Sequence, residues 1–389
     1  MTDVLVTGIG AVSCHGRGAA ALWHAMLDAQ VRLPDQPADP LAHMALPLIY
    51  LVPEEHVAAE HPGRAAQFAV AAAAEALRDA GLTGRENTRF GVVVGSCMGE
   101  AGLREADRYP ASTTTGRRPA FQLATHLGAW LGGFGANSSI ANACSAGLFA
   151  LCTAVDMLRC GEVDVVLAGG ADAYSRVALG CFNRLGAVDP VRCRPYDRHR
   201  AGTVFGEGAG MLVLESREHA RARGVDTGYA RVTGTGWSCD AHHPTAPEPA
   251  GDQITRAMRE ALTEAGDDGV GCVVPHGTGT QLNDVMESGA LHRALGPAAG
   301  SVPLYSLKAL IGHTGGAAAG LAACAAALIL RHRVVPPNVP LDEQDPACPV
   351  HLPVGAGTAL DVDRVLVNAY GFGGTNASVV LATDCGSAR

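Results

Sequence analysis

Lysine is almost missing from this sequence: of 29 basic residues, 28 are arginine and one, Lys308, is lysine. Arginine, alanine and glycine all abound, so a genomic bias accounts for the depletion. A lysine that survives such a bias is either chance or stands where a planar guanidinium does not fit. Charge is scarce as well, at 17% of residues against 48% hydrophobic, which excludes a disordered chain and supplies a large core. The net charge of −9 argues against a nucleic-acid binder. No apolar run reaches the ~18 residues of a membrane span. The longest candidate, Gly315 to Leu330, is 16 residues of mostly alanine and glycine and reads as a buried helix. The opening MTDVLVTGIG starts directly with a strand and has no basic leader, so no signal peptide is expected and the cytoplasm is the expected location. Twelve cysteines are scattered singly without a CxxC pair. In a reducing compartment most of them serve as small buried hydrophobes. No Cys, His and acidic set has zinc spacing, so no metal is expected.

What is present is a rhythm of apolar strands and alanine-rich helices. VLVTGIGAVS opens as a strand, Arg64 to Ala80 is a helix ended by Gly81, and Phe90 to Val94 is a buried strand. Ala146 to Arg159 is a helix, Val163 to Ala168 a strand, and Met211 to Leu214 another. The second half repeats this order. Arg231-Val-Thr-Gly-Thr-Gly parallels Val6-Thr-Gly-Ile-Gly, and Gln253 to Ala265 parallels the first alanine-rich helix. Cys272-Val-Val parallels Val92-Val-Val, and Ala317 to Arg331 parallels the helix after Cys144. A duplication follows, with halves at 1–225 and 226–389 joined near 220–230 into one compact unit, two sheets enclosing central helices. The Pro-rich stretch 28–62 reads as surface loop.

Four glycine-rich islands carry the candidate chemistry. In Ala141-Asn-Ala-Cys-Ser-Ala-Gly147, Cys144 directly precedes a helix, where unpaired N–H groups favour a thiolate and can hold an oxyanion. A buried cysteine at a strand-to-helix turn is the plain alternative. Pro275-His-Gly-Thr-Gly-Thr280 and Lys308-Ala-Leu-Ile-Gly-His-Thr-Gly-Gly each present one histidine among small residues, and the sole lysine falls five residues before the second. Tyr370-Gly-Phe-Gly-Gly-Thr-Asn376 is a glycine loop carrying aromatics. Gly95-Ser-Cys-Met-Gly99 imitates a nucleophile elbow at Cys97, but the following Glu100-Ala-Gly lacks the apolar helix an elbow feeds.

The ordered set resembles the β-ketoacyl synthases, the condensing enzymes of fatty-acid and polyketide synthesis. It runs from VTGIGAVS through Asn142-Ala-Cys-Ser-Ala-Gly, Val166-Leu-Ala-Gly-Gly-Ala-Asp, Arg194-Pro-Tyr-Asp-Arg-His-Arg and Gly206-Glu-Gly-Ala-Gly to HGTGT, K-x4-H-T-x-G and Asn368-Ala-Tyr-Gly-Phe-Gly-Gly-Thr-Asn. The resemblance implies an α/β, thiolase-like, five-layered α-β-α-β-α fold. It implies decarboxylative Claisen condensation of an acyl-Cys144 intermediate with malonyl-acyl carrier protein, giving a 3-oxoacyl-acyl carrier protein. Cys144 matches the nucleophile, and His276 and His313 the pair that promotes decarboxylation. Lys308 matches the family lysine, Glu287 its ion-pair partner and Asp284 the acidic residue upstream. Thr278 and Thr280 match hydroxyls along the pantetheine tunnel, and Phe372 a moving gate. The N–H groups of Cys144 and Phe372 match the oxyanion hole, while Cys97 and Met98 lie in a loop bordering the acyl pocket. No cofactor is implied beyond the phosphopantetheine of the carrier.

Departures from the family pattern include Val274-Pro275 before HGTGT, Arg200-Ala-Gly-Thr before the GEGAG strand, Tyr370 for a phenylalanine, and Cys97-Met98. They point to a specialised member, in polyketide or specialised fatty-acid synthesis. Two other readings are an acyltransferase that moves an acyl group from Cys144 without decarboxylation, and a cysteine-less chain-length subunit, which Cys144 opposes. A true thiolase would carry a second catalytic cysteine, and neither Cys348 nor Cys385 sits in a suitable glycine loop. The expected partners are an acyl carrier protein, docked through Arg64 or Arg117-Arg118, and an identical or homologous subunit. The subunit is expected to pair along Val163-Asp-Val-Val-Leu-Ala. No nucleic acid or membrane partner is expected.

Overall fold

Apolar strands alternate with alanine-rich helices because each element is covered on both sides. The computed structural model describes residues 2–57, 63–82, 89–107, 122–132, 135–266 and 268–384. Its principal strands are β1 (Val4–Ser13), β2 (Phe90–Gly95), β3 (Ala136–Ile140), β4 (Val165–Asp172), β5 (Gly208–Ser216), β6 (Ala230–Cys239), β7 (Cys272–Val274), β8 (Arg364–Gly371) and β9 (Thr375–Ala382). The helices that matter are α1 (Arg64–Asp79), α2 (Ala146–Arg159), α3 (Arg176–Arg184), α4 (Asp252–Ala265), α5 (Gln281–Leu295) and α6 (Ala317–His332).

The duplication is written in the strand ladder. In the order β1-β5-β4-β2-β3 the pairings run antiparallel, antiparallel, parallel, parallel. In β6-β9-β8-β7 they run antiparallel, antiparallel, parallel, and a parallel bridge from Val273 to Leu304 stands at the fifth position. Helix α1 covers β1 and β5 from outside, and α4 covers β6 and β9, with α5 against α4. Between the sheets, α2 lies on β2 and β4, and α6 reaches β4, β5 and β8. These are the five layers of the expected fold.

The repeated Thr-Gly-x-Gly has a physical reason. A Cβ on Gly8 or Gly10 would sit 2.2 Å from Ala76 O or 1.9 Å from Ala72 O, inside α1. A Cβ on Gly234 or Gly236 would sit 1.9 Å from Ala261 O or 2.0 Å from Ala257 O, inside α4. Each head strand thus lets the bare backbone of an alanine-rich helix lie directly on it, and both sides of the contact must be small.

Two expectations are corrected. The sheets are not separate: Val4, Leu5 and Val6 of β1 pair with Val232, Arg231 and Ala230 of β6, joining both halves in one ladder. The strand expected to pair with a second subunit starts at Val165, runs to Asp172, and lies inside the sheet, hydrogen-bonded to β5 on one edge and β2 on the other. Its apolar character reflects burial on both faces, and no edge is left for a partner. The terminal strand of the first half is β3, Ala136–Ile140.

Gly236→Ala should overpack the β6–α4 contact and lower stability by about 1–3 kcal/mol. Gly180, inside α3 with nothing near its Cβ position, should tolerate alanine or gain up to about 1 kcal/mol from helix propensity. Urea midpoints of the two variants check this, and equal midpoints would remove the packing argument.

Candidate active site

Cys144 sits in a single 3-10 turn, Ala143–Ser145, that runs straight into α2. The turn is tight enough to hold Ala143 at φ 59°, a left-handed conformation costly for a residue with a Cβ. It is locked from the far side of the molecule: Thr375 Oγ1 donates to Asn142 O at 3.0 Å and lies 2.8 Å from Ser145 Oγ. The β8–β9 turn is therefore fixed to the cysteine turn, and it carries Phe372, which stacks on Phe182 of α3 with ring centroids 5.1 Å apart.

His276 follows β7, and its loop rests on the start of α5. Glu287 accepts from His276 N at 2.8 Å and from Gly277 N at 2.7 Å. Asp284, one turn earlier, accepts from Thr278 N at 3.1 Å and Gly279 N at 3.2 Å. The spacing of three places both carboxylates on one helix face, so together they hold four successive amides. Tyr196 adds its hydroxyl to Glu287 at 3.2 Å and its N–H to Asp284 at 2.8 Å. His313 precedes α6, and its N–H donates to Val204 O at 2.8 Å. The two imidazoles meet edge to face at 5.6 Å and 89°. Phe205 stacks on the other side of His313 at 5.8 Å.

The sole lysine differs from expectation in one respect. Among the described residues no salt bridge joins Lys308 and Glu287. Lys308 Nζ donates to the carbonyl of His276, while Glu287 takes the N–H of the same residue. The two charges grip His276 from its two backbone ends. They attract across the peptide between His276 and Gly277, whose N–H Glu287 accepts and whose C=O Lys308 holds. The other donors to Glu287 are the His276 amide, Asn283 and the Tyr196 hydroxyl.

Cys144, His276, His313, Thr278, Thr280 and Phe372 line one cavity of about 450 Å³. Thr278 and Thr280 face each other at 2.9 Å between hydroxyls. Cys97 and Met98 are not among its lining residues, though Cys97 is near enough to Cys144 for the two thiols to act on each other. Their loop is held by Asp172, which accepts from Ser96 Oγ at 2.5 Å, Cys97 N at 2.8 Å, Met98 N at 3.0 Å and Gly316 N at 2.6 Å. The sequence reading missed this clamp. Its one signal was an acidic residue ending a strand buried along its whole length. Phe182 and Phe205, also missed, carried no sequence signal.

The models named Beta-ketoacyl synthase, N-terminal domain, and Beta-ketoacyl synthase, C-terminal domain, match residues 54–220 and 229–342. The chain belongs to the β-ketoacyl synthase family. It is 35% identical to "Putative polyketide beta-ketoacyl synthase 1" of Streptomyces halstedii and 33% identical to "3-oxoacyl-[acyl-carrier-protein] synthase 2" of Staphylococcus aureus, over 97% of each chain in both cases. The solved structure "The ishigamide ketosynthase/chain length factor" superimposes with a TM-score of 0.88 at 35% identity, covering 98% of this chain and 99% of that one. The protein is thus an acyltransferase of the ketosynthase type, whose reaction is decarboxylative Claisen condensation.

Electrostatics in this ketosynthase separate the two thiols. The hydrogen bond from Cys97, then the nearby His313 and Lys308, hold Cys144 well below the ordinary thiol value, against the opposing cost of burial. Cys97 is pushed well above it by that same bond, by burial, and by the Cys144 and Asp172 charges. Burial, with Lys308 and His313 beside it, drives His276 well below the usual imidazole value, so its ring is neutral. Arg64, expected at a docking surface, is spent internally: it chelates buried Glu207 through Nε and Nη2 at 2.9 and 2.6 Å and donates to Val52 O at 2.9 Å. Arg117 and Arg118 lie outside the described residues. Among the described residues no cluster of three or more His, Cys, Asp or Glu side chains is placed to hold a metal, and no helix is long and apolar enough to cross a membrane.

Because the Cys144 pKa is depressed, its alkylation by iodoacetamide should titrate with a midpoint below that of a free cysteine, falling only as pH drops through the depressed value. Cys97 should label later and at higher pH. Peptide mapping of labelled protein across pH checks this, and first labelling at Cys97 would exchange the two roles.

Proposed function

We propose that Cys144 is the acyl-carrying nucleophile and that His276, His313 and Lys308 form the decarboxylation centre. The observation that carries this reading is the convergence of Cys144, His313 and His276 on one cavity, with the two imidazoles at right angles. The Cys144 thiolate attacks a carrier thioester and expels the carrier thiol, storing the chain as a new thioester. The malonyl extender then breaks its bond to CO2, and the electron pair passes to an enolate. The two imidazoles supply hydrogen bonds to that oxygen without protonating the carbon. The enolate carbon bonds to the acyl carbonyl, and Cys144 leaves. The N–H groups of Cys144 and Phe372 form the oxyanion hole. Thr278 and Thr280 line the pantetheine path, Phe372 gates it, and Glu287 positions His276. Residues 1–225 supply the nucleophile and 226–389 the histidines. The enzyme needs no cofactor of its own beyond the carrier's phosphopantetheine, and a free thiol nucleophile suits the reducing cytoplasm. The departures near Thr203, Tyr370 and Cys97 favour polyketide or specialised fatty-acid synthesis.

Lys308→Arg separates the half-reactions. Acylation of Cys144 depends on the α2 turn and should persist. Release of labelled CO2 from the malonyl carrier should fall at least about tenfold, since the wider guanidinium displaces the His276 carbonyl. Cys144→Ala should abolish acylation in a folded protein. Wild-type condensation by Lys308→Arg would remove the lysine from the centre, and an acyl adduct mapped to Cys97 would remove Cys144.

The partner subunit pairs along β3. Its outer edge carries no ladder among the described residues, and an open edge of this kind is an aggregation hazard unless covered. A second copy or a homologous chain-length subunit would extend the sheet. Light scattering should give a dimer, and a fully active monomer near the chain mass of 39.8 kDa would overturn this.

A further inference from the structure

The condensing reaction uses one thiol, yet two meet at its centre. The backbones that carry them touch through glycines: a Cβ on Gly95 would sit 2.2 Å from Ala146 C, and one on Gly316 would sit 2.6 Å from Ser96 Cα. Between them, a Cβ on Gly147 would sit 2.5 Å from Gly316 O. The end of β2, the start of α2 and the start of α6 are thus packed backbone to backbone. Cys97 and Cys144 stand on these packed segments, close enough for each to shift the other's titration, and both are free. Asp172 pins the amides of Cys97 and Met98, so the Cys97 loop cannot drift from its neighbour.

We propose that Cys97 is a resolving thiol for Cys144: when a hydroperoxide oxidises the nucleophile, Cys97 closes a reversible Cys97–Cys144 disulfide. The inference rests on the reading of Cys144 as the reactive thiolate. The thiolate attacks the peroxide, whose O–O bond breaks; the peroxide is reduced to water or an alcohol, and Cys144 becomes a sulfenic acid. The Cys97 sulfur then attacks the Cys144 sulfur, the S–O bond breaks, and the Cys97 proton leaves with the hydroxyl as water. Exchange with a small dithiol returns both thiols. Without a neighbour, the sulfenic acid would climb to sulfinic acid, which no thiol reduces. The disulfide therefore shelters the nucleophile while shutting off acyl transfer.

Hydrogen peroxide treatment of the intact protein, quenching by alkylation and peptide mass mapping test this, beside acyl loading of untreated protein from an acyl carrier. The expected product is one cross-linked Cys97–Cys144 peptide pair, with acyl loading lost and then regained after dithiothreitol. Cys97→Ser should instead accumulate sulfinic acid at Cys144, with recovery at least about fivefold lower. Sulfinic acid at Cys144 of the wild-type protein, with Cys97 still alkylatable, overturns the proposal without touching the variant's folding. Failure of untreated Cys144 to accept an acyl group is a separate result, which defeats the condensing reading while a mapped cross-link still stands.

Discussion

Buried carboxylates that accept backbone N–H groups hold this active centre in register. Asp172 gathers three amides and a hydroxyl from two loops, one at Ser96 to Met98 and the other at Gly316, 144 residues beyond the carboxylate. Glu287 and Asp284 gather the four amides of His276 through Gly279. Burial pushes all three carboxyls upward, and the amides pull them back. Leaving one such group half-paired would cost several kcal/mol, so each clamp works only when complete. A loop either lies in place with all its donors engaged or the carboxylate is stranded. That all-or-none character lets glycine-rich segments, flexible by composition, hold fixed positions.

This arrangement gives the lone lysine a narrower job than charge balance. Glu287 already has its quota of donors, so Lys308 is free to spend its ammonium on the His276 carbonyl. The peptide between His276 and Gly277 is then polarised from both sides, the Gly277 N–H toward Glu287 and the His276 C=O toward the ammonium, with the imidazole beside it. The lysine's charge also keeps that imidazole neutral, while the same charge favours the Cys144 thiolate. A single buried cation thus draws both groups the same way, toward loss of a proton, which leaves one a neutral imidazole and favours the other as a thiolate.

The sequence made legible what depends on local pattern. The helix from Arg64, the helix from Ala146 and the repeated Thr-Gly-x-Gly strands follow from periodicity and from the need for small residues at contacts. The cysteine and the two histidines follow from motifs in fixed order. What was illegible depends on through-space partners. Arg64 looks like a surface arginine until Glu207, buried under it, is known. The run Val163 to Ala168 reads as apolar whether its edges are open or paired, because burial on two faces says nothing about hydrogen bonding at the sides. Lys308 and Glu287 were paired by the family resemblance, and a motif match does not reveal that a peptide lies between them.

Aromatic side chains connect the Phe372 turn to His313. Phe372 stacks on Phe182, the edge of Phe182 meets Phe205 at 4.6 Å, and Phe205 lies flat on His313. Each such contact is worth about 0.5–1.5 kcal/mol, enough to favour one position and too little to lock it. Phe372 sits at the exposed end of this column, at 36% exposure, on a turn whose next two residues, Gly373 and Gly374, have φ of 87° and 78°. Those glycines let the turn re-form in another shape, whereas Thr375 remains bonded to the cysteine turn. A change of shape in that turn would therefore break the outermost stack alone, leaving Phe205 against His313 and the imidazole in place.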